Sequence, residues 1–333
     1  MDENTGLPGA DGLSPGEGPD RSKQYLRYLL HLLLFLLTFI TTTFAGVLWL
    51  NRDPFELTNF SLGLPYSISL LAMLSAHEFG HYFAARRYGV NTSLPYFIPI
   101  PVIPPYMINP FGTMGAVIRM RSPLTTKKAL FDIGIAGPIA GLVVTFCVLI
   151  YGFLTLPGKE FIFTVHPEYR LTGEIPGTGF TFGNSILFWS LTKVFGSSGF
   201  VPPMNEIYHY PFLCVGWFGL FVTALNLIPV GQLDGGHVLY ALAGKGQGKI
   251  ARVFFICLVI VGLSGFLPLF GSGVQTGTLG WLLWAAILYF FIKIDHPEIY
   301  DYTEMDASRK VLGWAVLALF VLIFPPIPFF EVG

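Results

Sequence analysis

The residues with evident chemistry are His77, Glu78 and His81, in the stretch MLSAHEFGHYFAARR at 73–87. On a helix, side chains four positions apart project from one face, so both imidazoles can reach one ion. Glu78 lies on the neighbouring stripe, close enough to take a proton from water held at that ion. This is the spacing of a zinc hydrolase. The alternative is two packed histidines beside a stray carboxylate. In an apolar run, however, three ionisable groups so close together are costly unless they serve a site or line water.

A catalytic zinc takes three protein ligands and leaves the fourth position to water. The sequence predicts one Zn2+ per chain, with its third ligand on a later segment that reaches the same depth. The best candidate is Asp234 in ALNLIPVGQLDGGHVLYAL. Pro229 is expected to end or kink the helix before it, and Gly235 and Gly236 to let the backbone turn tightly beside the ion. Asp132 is a weaker rival, expected to pair with Lys127 and Lys128. His31 reads as a packed or lipid-facing residue, and Glu206 and His209 fall on the opposite side of the membrane. His237 is open between a partner of the metal ligands and an ordinary helix residue. Asn226 is open between satisfying backbone freed by Pro229 and donating to a developing oxyanion.

The elements that must position these residues are apolar. Of 333 residues, 53% are hydrophobic and 12% charged, about half the charge of a soluble domain, which puts the chain in the polytopic membrane class. The net charge of −1 offers no basic footprint for nucleic acid. The three cysteines are isolated in apolar runs and read as packing residues. Hydropathy predicts an all-α polytopic membrane fold of about seven spans, over 28–50, 62–85, 129–156, 211–229, 250–270, 279–294 and 311–327. Between the second and third spans, the Pro-rich interval 91–122 is expected to form a small β-hairpin or a membrane-re-entrant loop, with period-2 alternation over 113–120. Gly112, Thr113 and Gly115 are candidates for a strand edge that holds substrate.

The expected organisation is a disordered tail (1–23), a first span with its loop (24–61), a catalytic core (62–243) with an outer loop at 157–210, and C-terminal spans (244–333). The tail lacks the pattern of a cleavable signal or transit peptide, so the first apolar run is expected to remain as an anchor. Lys and Arg near the span ends predict a cytoplasmic N-terminus and a site near the cytoplasmic face, since His81 lies shortly before Arg86 and Arg87. A bacterial inner membrane is the expected location, with an organellar membrane as the alternative.

HEFGH together with NLIPVGQLDGGH resembles the site-2 protease family of intramembrane zinc metalloproteases. The resemblance implies that His77, His81 and Asp234 are zinc ligands and that Glu78 is the catalytic carboxylate. Asn226 and Pro229 match the family's second motif. FGTMGAVIRM resembles its strand-forming region and GIAGPIAGL the start of its third core span, so the likeness covers about 62–243. Residues 157–210 are too few for the PDZ domain that many bacterial members carry. The implied partner is a membrane protein with a transmembrane helix, cut in or near that helix within the lipid bilayer. Two other readings stand beside this one. One is a transporter or channel with a metal or proton site, against which no inverted repeat is visible. The other is a membrane-embedded zinc protease acting on juxtamembrane or soluble peptides.

Overall fold

A computed structural model describes residues 21–101, 110–196, 199–270, 277–301 and 303–333. The disordered tail expected at 1–20 lies outside them, as does the stretch 102–109 of the expected re-entrant loop.

The first apolar run forms α1 (Arg21–Trp49), which starts early enough to include residues 21–23 of the expected tail. The hydroxyls of Thr38, Thr42 and Thr43 donate to carbonyls one turn back, which lets them sit within an apolar helix. Thr42 also meets Ser67 of α2 (Leu64–Arg87) at 2.6 Å. α2 carries Pro65 in its first turn, where no helical partner is lost, and ends on Arg86 and Arg87.

The expected hairpin is present. β1 (Tyr96–Pro99) pairs antiparallel with β2 (Thr113–Val117), with Tyr96 opposite Val117 and Phe97 opposite Ala116. It rests on α1, where His31 hydrogen-bonds the Pro95 carbonyl at 2.9 Å and packs on Tyr96, so His31 is a packed residue. α3 (Lys127–Leu154) follows, capped by Thr126, and packs against α2. Asp132 does not form the expected pair with Lys127 or Lys128. It accepts from the Arg309 guanidinium at 2.7 and 2.6 Å and from the Tyr88 hydroxyl, which fastens α3 to α11 (Ala307–Ile323). The fork of a guanidinium matches two carboxylate oxygens, where a lysine offers only a point charge.

The interval expected as an outer loop is structured in part. It holds the single turns α4 (Ile162–Val165) and α5 (Tyr169–Thr172), the strand β3 (Gly179–Phe182) and α6 (Ile186–Gly196). β3 pairs antiparallel with β4 (Phe329–Val332), a second small sheet that was not expected. Phe182 and Phe329 pack on Trp217, whose indole N–H donates to the Gly183 carbonyl at 2.7 Å.

The count of about seven spans is not confirmed. Among the described residues, four helices are long and apolar enough to cross a membrane: Ser22–Trp49, Leu57–Arg87, Lys127–Leu154 and Asp234–Ser264. The expected fourth span is α7 (Pro211–Asn226), whose 16 residues reach only about 24 Å. The chain then breaks at 227–233 and restarts as α8 (Asp234–Ala243), which leads into α9 (Gln247–Ser264). The expected sixth span is α10 (Gly280–Ile287), continued as one π turn over Leu288–Ile292, and α11 has 17 residues. Hydropathy carries the expected span on to 229 because Leu227 and Ile228 are themselves apolar; the helix stops at Asn226, ahead of Pro229.

Candidate metal centre

The second half of α2 carries His77, Glu78 and His81, all buried, on the side that faces α3 and α7. The Nδ1 atom of His81 is 2.7 Å from the Ile133 carbonyl oxygen of α3. A carbonyl only accepts, so the proton is on Nδ1 and the Nε2 atom presents a lone pair. That atom lies 3.1 Å from His77 Nε2.

Asp234 completes the group from the first turn of α8, where the helix N-terminus favours a carboxylate. Its Oδ2 atom is 3.5 Å from His77 Nε2 and 3.3 Å from His81 Nε2. Tetrahedral zinc with ligands at about 2.0–2.2 Å holds them roughly 3.3–3.6 Å apart. Two nitrogens and one oxygen, converging at this spacing, fit zinc.

Glycines let the backbones come this close. At Gly137 of α3, a Cβ would stand 2.1 Å from His81 Nε2, so this helix leaves a slot that the imidazole fills. Gly235 and Gly236 are helical and make no tight turn. They allow the broken segment to pass: a Cβ would meet the Leu227 carbonyl at 2.0 Å from Gly235 and the Gly231 carbonyl at 2.3 Å from Gly236.

The centre opens into a cleft of about 400 Å³ that Glu78, Asn226, Met114, Gly115 and His237 also line. The Ile118 backbone reaches the Glu78 carboxylate from beyond the end of β2. The Asn226 Nδ2 atom is 3.4 Å from His77 Nε2, which puts its amide beside the metal ligands. A larger cavity of about 690 Å³, bordered by Trp189, Phe255 and Phe324, contains no acid, base or histidine and offers no comparable chemistry.

The remaining candidates separate. His237 lies in the cleft but is not one of the converging ligand atoms; its Nδ1 is 2.8 Å from Nε2 of His296. Sequence reading missed His296, which stands 59 residues away with no motif around it. Gly115 lines the cleft with open space around it, whereas Gly112 packs against α1, accepting from the Thr41 hydroxyl at 2.7 Å. The Thr113 hydroxyl donates to the Ile98 carbonyl inside the hairpin. Glu206 and His209 stand apart from this centre, in a second group with His166.

Two ligands one turn apart on a helix, a carboxylate from a second motif and a glutamate facing the same cleft define a metallopeptidase-type centre. Comparison with known proteins agrees. Residues 65–264 match the family model described as Peptidase family M50, and the chain belongs to that family, the site-2 type of zinc metalloprotease. The chain is similar to "Probable zinc metalloprotease EGY1, chloroplastic" of Arabidopsis thaliana, 29% identical over 90% of this chain and 53% of the relative. The protein of the same name from Oryza sativa subsp. japonica is 27% identical over 97% of this chain and 56% of its own length. "Probable zinc metallopeptidase EGY3, chloroplastic" of Arabidopsis thaliana is 24% identical over 90% of this chain and 49% of its own. The chain thus spans about half the length of the curated relatives it matches. No solved structure matches it.

Proposed function

We propose that this chain is a membrane-embedded zinc metalloprotease that hydrolyses a peptide bond within or near a transmembrane segment of another protein. The observation that carries the reading is the convergence of His77 Nε2, His81 Nε2 and Asp234 Oδ2 in a cleft that Glu78 also faces. When bound by these three atoms, zinc supplies Lewis acidity and makes water a nucleophile near neutral pH. The Glu78 carboxylate takes the proton of the attacking water and delivers it to the nitrogen of the departing amine. The Asn226 amide donates to the oxygen on which negative charge develops.

A helical substrate hides its scissile peptide in i to i−4 hydrogen bonds and must open to an extended chain first. The β2 edge at Gly115 borders the cleft and suits strand addition by such a chain. Arg86 and Arg87 end α2 little more than a turn beyond His81, so water need not cross the bilayer to reach the centre. On the same argument that end of α2 faces the cytoplasm or its equivalent. The names of the relatives give a chloroplast location, which favours an organellar or related membrane over a generic bacterial inner membrane.

The test is cleavage of a purified transmembrane reporter by the detergent-solubilised full chain, together with a second reporter whose cut site is moved beyond the membrane boundary. The proposal expects cutting of the first and loss of cutting in the second. Equal cutting of both would favour a juxtamembrane or soluble substrate, and cutting of neither would overturn the reading.

A further inference from the structure

A second group of ligand-type atoms lies at the other end of α7. Asn226, the last residue of that helix, is at the cleft, while His209 directly precedes its start at Tyr210–Pro211. Some 16 residues of helix, about 24 Å, separate the two ends. Here His166 Nε2 and His209 Nε2 are 3.0 Å apart. Glu206 Oε2 is 3.4 Å from His209 Nε2 and 3.8 Å from His166 Nε2. Such spacings straddle the roughly 3.3–3.6 Å of tetrahedral zinc ligands; those of the first centre, 3.1, 3.3 and 3.5 Å, fall within or just below it.

The surroundings orient these atoms inward. His209 donates from Nδ1 to the Trp49 carbonyl at the end of α1, which leaves its Nε2 with a lone pair. His166 turns Nδ1 to the Glu168 carboxylate at 2.8 Å. Glu206 is buried; its Oε1 accepts from the Tyr169 hydroxyl at 3.0 Å, but its Oε2 has no hydrogen-bond partner. A protonated His166 donating to His209 would satisfy both nitrogens yet leave Oε2 unpaired, and an unpaired buried carboxylate oxygen is costly. A cation among the three atoms satisfies all of them. Each ligand nitrogen then has its partner nitrogen held by an oxygen, the usual support of a metal-bound histidine.

We infer that His166, Glu206 and His209 form a second divalent-metal site, of zinc type, which fastens the turn after α4 to the turn before α7. Two imidazoles and a carboxylate suit zinc and not calcium or magnesium, which prefer all-oxygen shells. The chain therefore carries two zinc ions rather than the single one its HEFGH motif predicts. The site has a structural role, because its residues come from two segments that it ties together, the turn after α4 and the turn before α7, the second of which His209 also anchors to the Trp49 carbonyl.

The experiment is metal analysis of the full chain, purified in detergent without chelator and equilibrated with Zn2+. The parent, a His77→Ala/His81→Ala variant, a His166→Ala variant and their combination are compared. The expected zinc per chain is two, one, one and none. His166 is partly exposed, so its loss leaves the fold; Glu206→Gln, nearly the same in shape, is the second variant and is expected to lower the count in the same way. In the His77→Ala/His81→Ala background, Zn2+ is expected to raise the unfolding temperature, and His166→Ala to abolish that rise. One zinc in the parent, lost wholly with His77 and His81, would overturn the second site. A parent with a single zinc that is retained undiminished in the His77→Ala/His81→Ala variant would instead overturn the first centre.

Discussion

Gly137→Ala is the sharpest perturbation of the centre, because it touches no ligand chemically. The added methyl would stand 2.1, 2.4 and 2.5 Å from Nε2, Cδ2 and Cε1 of His81. Ordinary non-bonded contact is about 3.5 Å or more, so the ring must retreat by more than 1 Å. The helices cannot separate cheaply to make room. One residue earlier on each helix, Gly80 of α2 is packed on the Ala136 carbonyl of α3, where a Cβ would have only 2.5 Å, and separation would open that contact. A ligand tolerates about 0.2 Å of displacement at zinc, and a 1 Å misplacement at a reacting centre costs about a hundredfold. Cleavage should therefore fall by about a hundredfold or more, with weakened zinc binding and unchanged helical content, since only one side chain must move. Gly141→Ala is the graded control: its nearest contacts are His77 Cβ at 3.1 Å and Nδ1 at 3.3 Å, so a shift of a few tenths of an ångström suffices. The assay is zinc content and reporter cleavage on matched, monodisperse samples. Activity of Gly137→Ala within about threefold of the parent, or a larger loss in Gly141→Ala, would refute the packing argument.

Other outcomes follow from the same geometry. Asp234→Ala should lose zinc at the first centre while keeping its helical content by circular dichroism, because Asp234 lies at a helix start facing a cleft. Chelation with 1,10-phenanthroline should abolish cleavage, and added Zn2+ should restore it; activity that survives verified metal removal would contradict the ligand assignment. Arg309→Ala removes both guanidinium contacts of the half-exposed Asp132 and should destabilise the α3–α11 contact by about 1 kcal/mol, read by thermal unfolding in detergent. Thr126→Ala deletes the side-chain cap on Ala129 N and should cost about 1 kcal/mol in the same measurement.

The part of the site that follows from local spacing was legible in the sequence. His77 and His81 share a helix face whatever the rest of the chain does, and Glu78 must lie beside them. Asp234 was reachable because Asn226, Pro229 and the two glycines mark a break after an apolar run. Alternation over 113–120 predicts a strand, of which β2 forms 113–117, though its burial does not alternate cleanly, since Met114 and Val117 are exposed and Thr113 and Ala116 are buried. What depends on pairing across the chain left no local mark. The slot at Gly137 reads from sequence as one small residue among several in GIAGPIAGL. His296 meets His237, and β3 meets β4, over long separations with nothing at either end to announce the partner. His166, Glu206 and His209 likewise converge across 43 residues, and position on the opposite side from the HEFGH motif gives Glu206 and His209 no local sign of a site of their own. The span count is not confirmed for a related reason: hydropathy measures composition, whereas the length of α7 is set by where the break at Pro229 stops it.

In the proposed function, His77, His81 and Asp234 hold zinc beside a catalytic Glu78. Its most direct test compares parent and Glu78→Gln chains reconstituted in liposomes with a transmembrane reporter, with cleavage products identified by mass and zinc measured on the same samples. Equal zinc is expected in both, with cleavage within the reporter's membrane segment by the parent and a loss of about a hundredfold or more in Glu78→Gln. Cleavage by Glu78→Gln at the parent's rate, or a parent that binds zinc at this centre and cuts nothing, would contradict it.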